Sequence, residues 1–434
     1  MDANRRVMHG DLLVQDGRIA ALGDGVAAAL RALPEGRAPE SFEAHGALVL
    51  PGFVHAHLHL CQTLFRGLAE QSDLLSWLRE SIWPLEAAHT EASLAASVWL
   101  GACELLAGGV TCVNDMGTVH HADVLLETLA ETGLRGFAGP ALMDQGERVP
   151  ARLLEGAERA LERALALARR HRDRVRVSLA PRFILSCSER LWREVTAASH
   201  DAGLLVHTHL AESPTEGGEV KDAVGSHAAP YFAAHGVLSP RFVGAHGVWL
   251  DDDEIQLMRA ADAALVHCPG SNLKLGSGLA DVRAWRRAGV RSGLGSDGAA
   301  CNNRLDTFAE MGLAAGIARV KHRDDPLPAR DVVALATCGG AAALGLSAEI
   351  GSLEPGKCAD VVVVGVTGAH HAPFADRDPY TTLVHAARAT DVRLTMVDGR
   401  VLYANGRHAA MDPEQVVASA AREASALLAR MSRS

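Results

Sequence analysis

The middle of the chain alternates short apolar segments with longer stretches of helical periodicity. Helical patterns lie at residues 90–106, 151–172 and 188–202, and the first and last of them end at Gly108-Gly109 and Gly203. The apolar segments cover residues 48–59, 110–116, 135–143, 175–182, 204–212, 242–248, 264–269 and 291–297. This alternation predicts an α/β fold, and eight apolar segments predict a (β/α)8 TIM-type barrel with its chemistry at the carboxyl ends of the strands.

Both ends of the chain show another pattern, in which two apolar segments flank an Asp-Gly turn. The turns are Asp16-Gly17 within residues 11–22 and Asp398-Gly399 within residues 394–403, and a Val-rich run follows at 359–366. We therefore predict a small β-sandwich domain built from both termini, with the two hairpins paired in one sheet and a helix at the C-terminus. Its predicted boundaries are residues 1–50 and 351–434, and the barrel is predicted to span 51–350.

Composition narrows the class of protein. The 434 residues are 48% hydrophobic and 22% charged, which is enough apolar material for a large core. The net charge is −10 and no basic block stands out, so no nucleic-acid partner is expected. No apolar run approaches about 18 residues, which predicts a cytoplasmic protein without a membrane segment. Eight widely spaced cysteines without a C-x-x-C motif are expected to be reduced thiols.

Histidines cluster at the end of the first predicted strand. His55, His57 and His59 alternate with apolar residues, so they share one face of the strand. Two neighbouring imidazoles on such a face can bind one ion. A single histidine there would more often be a hydrogen-bonded core residue, but three at a strand end favour a metal site.

Further ligand-type residues stand at the ends of other predicted strands. They are His207, His209 and Glu212 on strand five, His246 on strand six and Asp297 on strand eight. Borderline-soft divalent metals take imidazole nitrogen and carboxylate oxygen, and three histidines with one aspartate leave room for water, as catalytic sites require. These residues could instead be separate polar residues in loops. Their recurrence at four corresponding strand ends argues against that.

The order HxH, His, His, Asp on strands one, five, six and eight resembles the amidohydrolase superfamily over nearly the whole chain. The resemblance implies a metal site made by His57, His59, His209 and Asp297. Strand four ends at Ala180-Pro181-Arg182, without a lysine that could bridge two metals, so one divalent ion per chain is implied. We expect zinc, with iron or manganese as alternatives. The roles of His55, His207 and His267 stay open.

Three motifs resemble the deaminase and triazine-hydrolase branch, which acts on aminated nitrogen heterocycles. They are His209-x-x-Glu212, SDGAA at 296–300 and HCPGSNLK at 267–274. The implied catalytic residues are Asp297 as general base, Glu212 as the acid that protonates a ring nitrogen, and His246 as the group that orients water. A metal makes hydroxide available near pH 7 by lowering the pKa of bound water. Glu212 could otherwise be a surface carboxylate.

Two segments resemble guanine deaminases. His59-x-x-Gln62 matches their H-x-x-Q, and Pro181-Arg182-Phe183 matches their P-R-F, where the Gln and Arg hold the oxo-purine. An amide can donate and accept toward a lactam edge, and a guanidinium suits a carbonyl oxygen. The pair therefore implies a ring with an oxo group. The alternative for Arg182 is an ion pair at the barrel mouth.

Two other segments resemble methylthioadenosine/S-adenosylhomocysteine deaminases. They are SDGAACNN at 296–303 and Trp83-Pro84-Leu85-Glu86, whose Glu contacts ribose hydroxyls in those relatives. Arg182 stands where those relatives carry a histidine, which weakens the match. The implied substrate-binding residues from both resemblances are Gln62, Glu86, Arg182 and Phe183.

The leading hypothesis is a metal-dependent aminohydrolase that converts an oxo-purine or pterin, such as guanine, into its keto product and ammonia. The alternative is a methylthioadenosine, S-adenosylhomocysteine or adenosine-type nucleoside deaminase. A triazine chlorohydrolase or aminohydrolase, or a catalytically silent scaffold of the same fold, are further alternatives. The expected partner is a small heterocycle, and the chain is expected to form a homodimer or a higher homo-oligomer.

Overall fold

The computed structural model describes residues 1–32, 40–70, 73–373 and 378–431. Parts of the predicted terminal domain, at residues 33–39, 374–377 and 432–434, lie outside the described residues. None of the helices in the described ranges combines the length and the apolar character that crossing a bilayer requires.

Eight parallel strands form the barrel, which confirms the predicted fold class. In chain order, β1 to β8 are Phe53–Leu58, Val110–Met116, Arg135–Gly139, Val175–Val177, Val206–Leu210, Phe242–His246, Ala264–His267 and Arg291–Leu294. Leu294 of β8 pairs with His55 of β1, and a bridge from Leu179 to Val206 joins the β4 side to β5. The ring is therefore closed, and its strand ends face one mouth.

Helices surround the barrel and cover its mouth. The α-helices of the described residues are Gly25–Arg31, Leu74–Trp77, Trp83–Ala87, Glu91–Ala107, Ala122–Thr132, Ala157–Arg170, Glu189–Ala202, Pro214–Val224, Ala228–Ala234, Asp252–Ala260, Pro269–Lys274, Val282–Ala288, Ala299–Asn302, Thr307–Lys321, Ala329–Ala334, Gly340–Ala343, Pro379–His385 and Pro413–Met431. Short 3-10 turns lie at Leu60–Phe65, Ala151–Leu153, Ile184–Ser186 and Ala389–Asp391, and π-helical turns at Leu78–Ile82 and Leu335–Gly339.

Local signals explain where the predicted helices begin and end. The Thr90 side chain accepts a hydrogen bond from the backbone N–H of Ser93 and starts Glu91–Ala107. Gly203 adopts φ +69° after Glu189–Ala202, a left-handed conformation that glycine takes without steric cost. The helix predicted at 151–172 is shorter, because a 3-10 turn and Gly156 precede Ala157–Arg170.

The apolar segment at 48–59 is two strands in two different sheets. Ala47–Pro51 belongs to the terminal domain, whereas Phe53–Leu58 is β1. Gly52 separates them, and its N–H donates to the carbonyl of Asp360. A side chain at position 52 would lie 2.2 Å from the side chain of Thr111, so the chain passes this point only with glycine.

The termini build two antiparallel sheets rather than the predicted single one. A five-stranded sheet has the order Arg407–His408, Arg400–Ala404, Val392–Val397, Val361–Gly365 and Ala47–Pro51, and Leu12–Gln15 pairs separately with Arg18–Leu22. The pairing prediction is wrong because the first hairpin forms its own sheet: Ile19 packs with Ala359 and Val361, and only isolated backbone bonds, such as Ile19 N–H to the carbonyl of Lys357, join it to the chain before Val361–Gly365. Stacked sheets of this kind are sandwich packing. The domain boundaries remain a prediction.

Candidate active site

Four ligand-type side chains meet at the mouth of the barrel. Each of His57, His59, His209 and Asp297 offers one atom, and the four atoms lie within 4.8 Å of one another. Nε2 of His57 and Nε2 of His59 are each 3.3 Å from Oδ1 of Asp297. His59 Nε2 lies 3.1 Å from His209 Nε2. The structure therefore brings together the four residues that the family resemblance implied.

Backbone carbonyls orient two of these imidazoles. His59 Nδ1 lies 2.7 Å from the carbonyl oxygen of Met116, and His209 Nδ1 lies 2.8 Å from that of Arg182. A carbonyl can only accept, so each Nδ1 carries the hydrogen and each Nε2 presents a lone pair to the centre of the cluster. Such outer contacts are the usual way in which metal-binding histidines are held in one tautomer.

His207 holds the third imidazole, a role that sequence analysis left open. Its Nε2 lies 2.8 Å from Nδ1 of His57, and both rings are fully buried. His57 Nδ1 can donate to this nitrogen, which leaves His57 Nε2 free to bind an ion. The strand alternation that pairs His207 with His209 on one face was the available signal, but only the tertiary structure shows that His207 contacts His57 on β1, a strand that is not adjacent to β5 in the sheet.

The other two unassigned histidines lie outside the cluster. His55 contacts the hydroxyls of Ser296 at 3.0 Å and Thr307 at 2.8 Å, which is a hydrogen-bonded core position. His267 is fully buried against Trp285, and burial lowers its pKa to about 3. Both imidazoles are therefore neutral near pH 7.

Asp297 is held in a strained turn directly after β8. Its φ is +58°, and its carboxylate accepts hydrogen bonds from Ser271 Oγ at 2.6 Å and from the backbone N–H of Gly298 at 2.8 Å. Burial by itself raises the pKa of Asp297, but the neighbouring imidazoles of His57, His246 and His59 outweigh burial. The net effect lowers the pKa well below its usual range, so the carboxylate is ionised.

Glu212 and His246 face Asp297 across the pocket. His246 Nε2 lies 3.5 Å from Glu212 Oε2 and 3.8 Å from Asp297 Oδ2, and His246 Nδ1 lies 2.9 Å from the amide oxygen of Asn272. Burial raises the pKa of Glu212 to about 7. For His246, burial lowers the pKa, but the Glu212 and Asp297 carboxylates raise it by more. Perturbed groups in one cleft are typical of proton transfer.

Glu216 is a buried carboxylate that sequence analysis did not single out. Its Oε2 accepts a hydrogen bond of 3.1 Å from the backbone N–H of Glu212. Burial and the neighbouring Glu212 charge raise the pKa of Glu216 to about 7. The signal was present, because Glu212 and Glu216 are four residues apart at the start of Pro214–Val224, but acidic residues in a first helical turn are common without function.

Arg182 forms a buried ion pair with Glu86. Its Nη1 and Nη2 donate to the two carboxylate oxygens of Glu86 at 2.6 and 3.1 Å, and the amide of Gln62 donates to Glu86 Oε1 at 3.0 Å. The Arg182 and Glu86 side chains are 2% and 0% exposed. This is the ion pair that sequence analysis kept as the alternative for Arg182. Gln62 Oε1 is buried without a hydrogen-bond partner among the described residues.

The pocket above the cluster has a polar floor and an apolar cover. Leu74, Trp77 and Leu78 form the cover, and Phe183 lies on the wall beside Arg182. The polar lining residues are His59, Gln62, Arg182, His209, Glu212, Glu216 and Asp297. Glu86 lies behind Gln62 and Arg182. A concave site with an apolar wall and a few convergent polar groups is typical of a small-molecule site.

The donor set fits a divalent ion. Three imidazole nitrogens and one carboxylate oxygen are the ligands that zinc takes in catalytic sites, with room left for water. His57 Nε2 and His246 Nε2 are buried and lack a hydrogen-bond partner among the described residues. Buried polar atoms seldom stay unpaired, so these nitrogens indicate a group that the protein binds here.

Residues 48–402 match the Amidohydrolase family, and the chain therefore belongs to this family. The match includes the barrel and, of the larger terminal sheet, the strands Val361–Gly365 and Val392–Val397 in full. It confirms the family that the histidine and aspartate order indicated.

The similar proteins with an assigned activity include several deaminases. The chain is 37% identical over 434 residues to 5-methylthioadenosine/S-adenosylhomocysteine deaminase of Halobacterium salinarum, covering 99% of this chain and 98% of the relative. It is 36% identical over 414 residues to 5'-deoxyadenosine deaminase of Methanothermobacter thermautotrophicus, and the alignment covers 95% of this chain and 93% of that relative. The structure of a zinc-bound adenosine deaminase of Xanthomonas campestris superposes on this chain with a TM-score of 0.89 at 30% sequence identity. The superposition covers 96% of this chain and 93% of that one.

The protein is a metal-dependent deaminase that hydrolyses carbon–nitrogen bonds in cyclic amidines. Its cofactor is a divalent metal, and the zinc in the Xanthomonas structure together with the His/His/His/Asp group points to zinc. The silent-scaffold alternative is therefore wrong.

Proposed function

We propose that the enzyme deaminates a 5'-modified adenine nucleoside, of the methylthioadenosine, S-adenosylhomocysteine or 5'-deoxyadenosine class. The products would be the corresponding inosine derivative and ammonia. This proposal depends mainly on one observation. The chain is 36–37% identical, over more than nine tenths of both chains, to a 5'-deoxyadenosine deaminase and to a 5-methylthioadenosine/S-adenosylhomocysteine deaminase. This replaces the preference for guanine or a pterin, which these relatives do not support.

The ion pair of Arg182 supports the nucleoside proposal. The oxo-purine hypothesis depended on a guanidinium free to meet a ring carbonyl. Both terminal nitrogens of Arg182 instead donate to Glu86, so the charge of the guanidinium is already neutralised. Two charged partners this deeply buried are expected to stay paired, because separating them leaves each one desolvated and alone.

We propose that His57, His59, His209 and Asp297 bind the metal, because their ligand atoms lie close together and are of the types that zinc prefers. A divalent ion held there would supply the Lewis acidity that lowers the pKa of a nearby water molecule. Asp297 is the general base in this proposal, because its ionised carboxylate can accept a proton at Oδ2 and pass it to the departing amine. Ser271 and Gly298 hold that carboxylate in place.

Glu212 is the proposed acid. A pKa of about 7 leaves a substantial fraction of Glu212 protonated at neutral pH, so its carboxyl can donate to the ring nitrogen beside the attacked carbon. His246 lies between Glu212 and Asp297 and is held by Asn272, which suits it to orient the attacking water. Glu216 accepts a hydrogen bond from the backbone N–H of Glu212 and so fixes the position of that residue.

The rest of the pocket suits an uncharged aromatic base with a hydroxylated sugar. Phe183 and the cover residues Trp77 and Leu78 supply apolar surface for the ring. The unpaired Gln62 Oε1 can accept from a substrate hydroxyl or amine. Glu86 acts in this proposal by orienting Gln62 and Arg182, whose polar atoms reach the pocket.

A comparison of substrates tests the proposal. Ammonia release is measured with 5'-deoxyadenosine, methylthioadenosine and S-adenosylhomocysteine against guanine, 8-oxoguanine and isoxanthopterin, on zinc-loaded enzyme. The expected result is a kcat/KM for at least one nucleoside that exceeds every oxo-heterocycle by tenfold or more. The Asp297→Asn variant serves as the inactive control. A preference for guanine or isoxanthopterin would overturn the assignment. The expected homodimer or higher oligomer and the cytoplasmic location remain predictions.

A further inference from the structure

A second group of ligand-type side chains lies in the terminal domain, outside the barrel. His370 and His371 follow the strand Val361–Gly365, and Asp391 ends the 3-10 turn that precedes Val392–Val397. The three side chains each offer one atom, and these atoms lie within 4.8 Å of one another. Nothing in the proposed deamination uses them.

Both imidazoles converge on the same carboxylate oxygen. His370 Nε2 lies 3.0 Å from Asp391 Oδ2, and His371 Nε2 lies 3.3 Å from the same atom. The two rings lie against each other with centroids 3.9 Å apart and a tilt of 41°.

Hydrogen bonding to Asp391 accounts for the position of His370 but not for that of His371. The His371 side chain is 1% exposed, and neither of its ring nitrogens has a hydrogen-bond partner among the described residues. Asp391 Oδ2 already accepts from His370 and from the backbone N–H of Arg388. Buried polar atoms are nearly always paired, so a His371 Nε2 that has only this 3.3 Å contact with Asp391, outside hydrogen-bond geometry, indicates a further partner.

The local backbone makes room for both rings. A side chain at Gly368 would lie 2.9 Å from Cε1 of His370 and 3.0 Å from its Nδ1. Neutral imidazole is the form of histidine that binds metals.

The distances match those of the barrel cluster. His57 and His59 each lie 3.3 Å from Asp297, and the two terminal histidines lie 3.0 and 3.3 Å from Asp391. Two ligand atoms that are each about 2.0–2.2 Å from one zinc ion, at a tetrahedral angle, are about 3.3–3.6 Å apart, and three of these four contacts lie at the short end of that range. The spacing therefore suits one shared ion.

We propose that His370, His371 and Asp391 bind a second divalent transition-metal ion, of the class of zinc, with water completing its coordination. The ion would join the loop after Val361–Gly365 to the turn before Val392–Val397 and so stabilise the terminal domain. The role of this ion would be structural, because its three ligands are not among the residues that line the pocket at the barrel mouth. The inference is independent of the proposed substrate.

Metal counting tests this site. Enzyme equilibrated with excess zinc chloride and then desalted is analysed by inductively coupled plasma mass spectrometry. The wild type is expected to hold two zinc ions per chain, and His371→Gln is expected to hold one while keeping its deaminase activity. The exposed His45, which lies beside Glu43, supplies the matched control, and His45→Gln is expected to keep both ions.

Two further measurements keep the test decisive. His370→Gln changes the more exposed ring, so it separates loss of a ligand from disruption of the core, and it should also hold one ion. The melting temperature of the wild type should fall when a mild chelator removes one equivalent, whereas that of His371→Gln should not respond. A single zinc ion per wild-type chain at saturation, or two ions in both histidine variants, would overturn the second site.

Discussion

Replacement of Arg182 by alanine tests whether its main task is to neutralise Glu86. The two side chains are almost fully buried and joined by contacts of 2.6 and 3.1 Å. Removing one member of a buried pair leaves the other charge uncompensated, which costs about 3–5 kcal/mol in free energy of unfolding. Unfolding entropy is about 2.1 cal/mol/K per residue. For 434 residues this loss lowers Tm by about 3–5 °C.

Differential scanning calorimetry measures this shift, and the chain offers a matched control. Arg170 pairs with Glu127 on the surface, with side chains 60% and 53% exposed. Exposed pairs contribute about 0–1 kcal/mol, so Arg170→Ala should lower Tm by about 1 °C or less. A double variant, Arg182→Met with Glu86→Leu, should recover much of the loss because no buried charge remains. Equal small shifts for Arg182→Ala and Arg170→Ala would refute the ion-pair reasoning.

Kinetics of the same variant separates the two substrate classes. If Arg182 acts through Glu86, Arg182→Ala should lower kcat/KM by a similar factor for every substrate that the enzyme turns over. A loss confined to guanine or pterin turnover, with nucleoside turnover unchanged, would show a direct contact between Arg182 and a ring carbonyl. That result would contradict the role assigned here.

Three further predictions concern His207, Glu212 and Glu310. His207→Ala removes the partner of His57 Nδ1, and we expect metal affinity to fall by about 10–100-fold, measured by chelator competition; unchanged affinity would contradict the role of His207 in holding His57. Glu212→Gln should lose nearly all turnover but retain its bound metal, because Glu212 is assigned to proton transfer; metal loss on elemental analysis would show that it is a ligand instead. Burial raises the pKa of Glu310 to about 8, above its value in the unfolded chain, so the stability from this group is full at low pH and is lost as pH rises to about 8. Glu310→Gln should therefore show a shallower fall in unfolding free energy between pH 5 and pH 8 by urea titration, and an unchanged slope would count against a raised pKa.

Much of the barrel and its metal cluster could be predicted because both depend on local pattern. A barrel strand is a short apolar run between helices, and its end is the same end in every βα unit. His57, His59, His209 and Asp297 could therefore be placed at one mouth without knowledge of any distance. The Asp16-Gly17 and Asp398-Gly399 turns were also predictable, since all four residues take the positive φ that such turns require.

What the sequence by itself determined was the periodicity of the elements, the strand ends that carry ligands, and the family. Only the tertiary structure decided which partner each polar side chain meets. Arg182 and Glu86 are 96 residues apart, and His57 and His207 are 150 apart, so no local pattern records either contact. The same holds for His371 and Asp391, and for Gly52, where the Thr111 side chain leaves no space for a Cβ. Periodicity reports which face of an element is buried, whereas the pairing of buried polar groups depends on how distant elements pack.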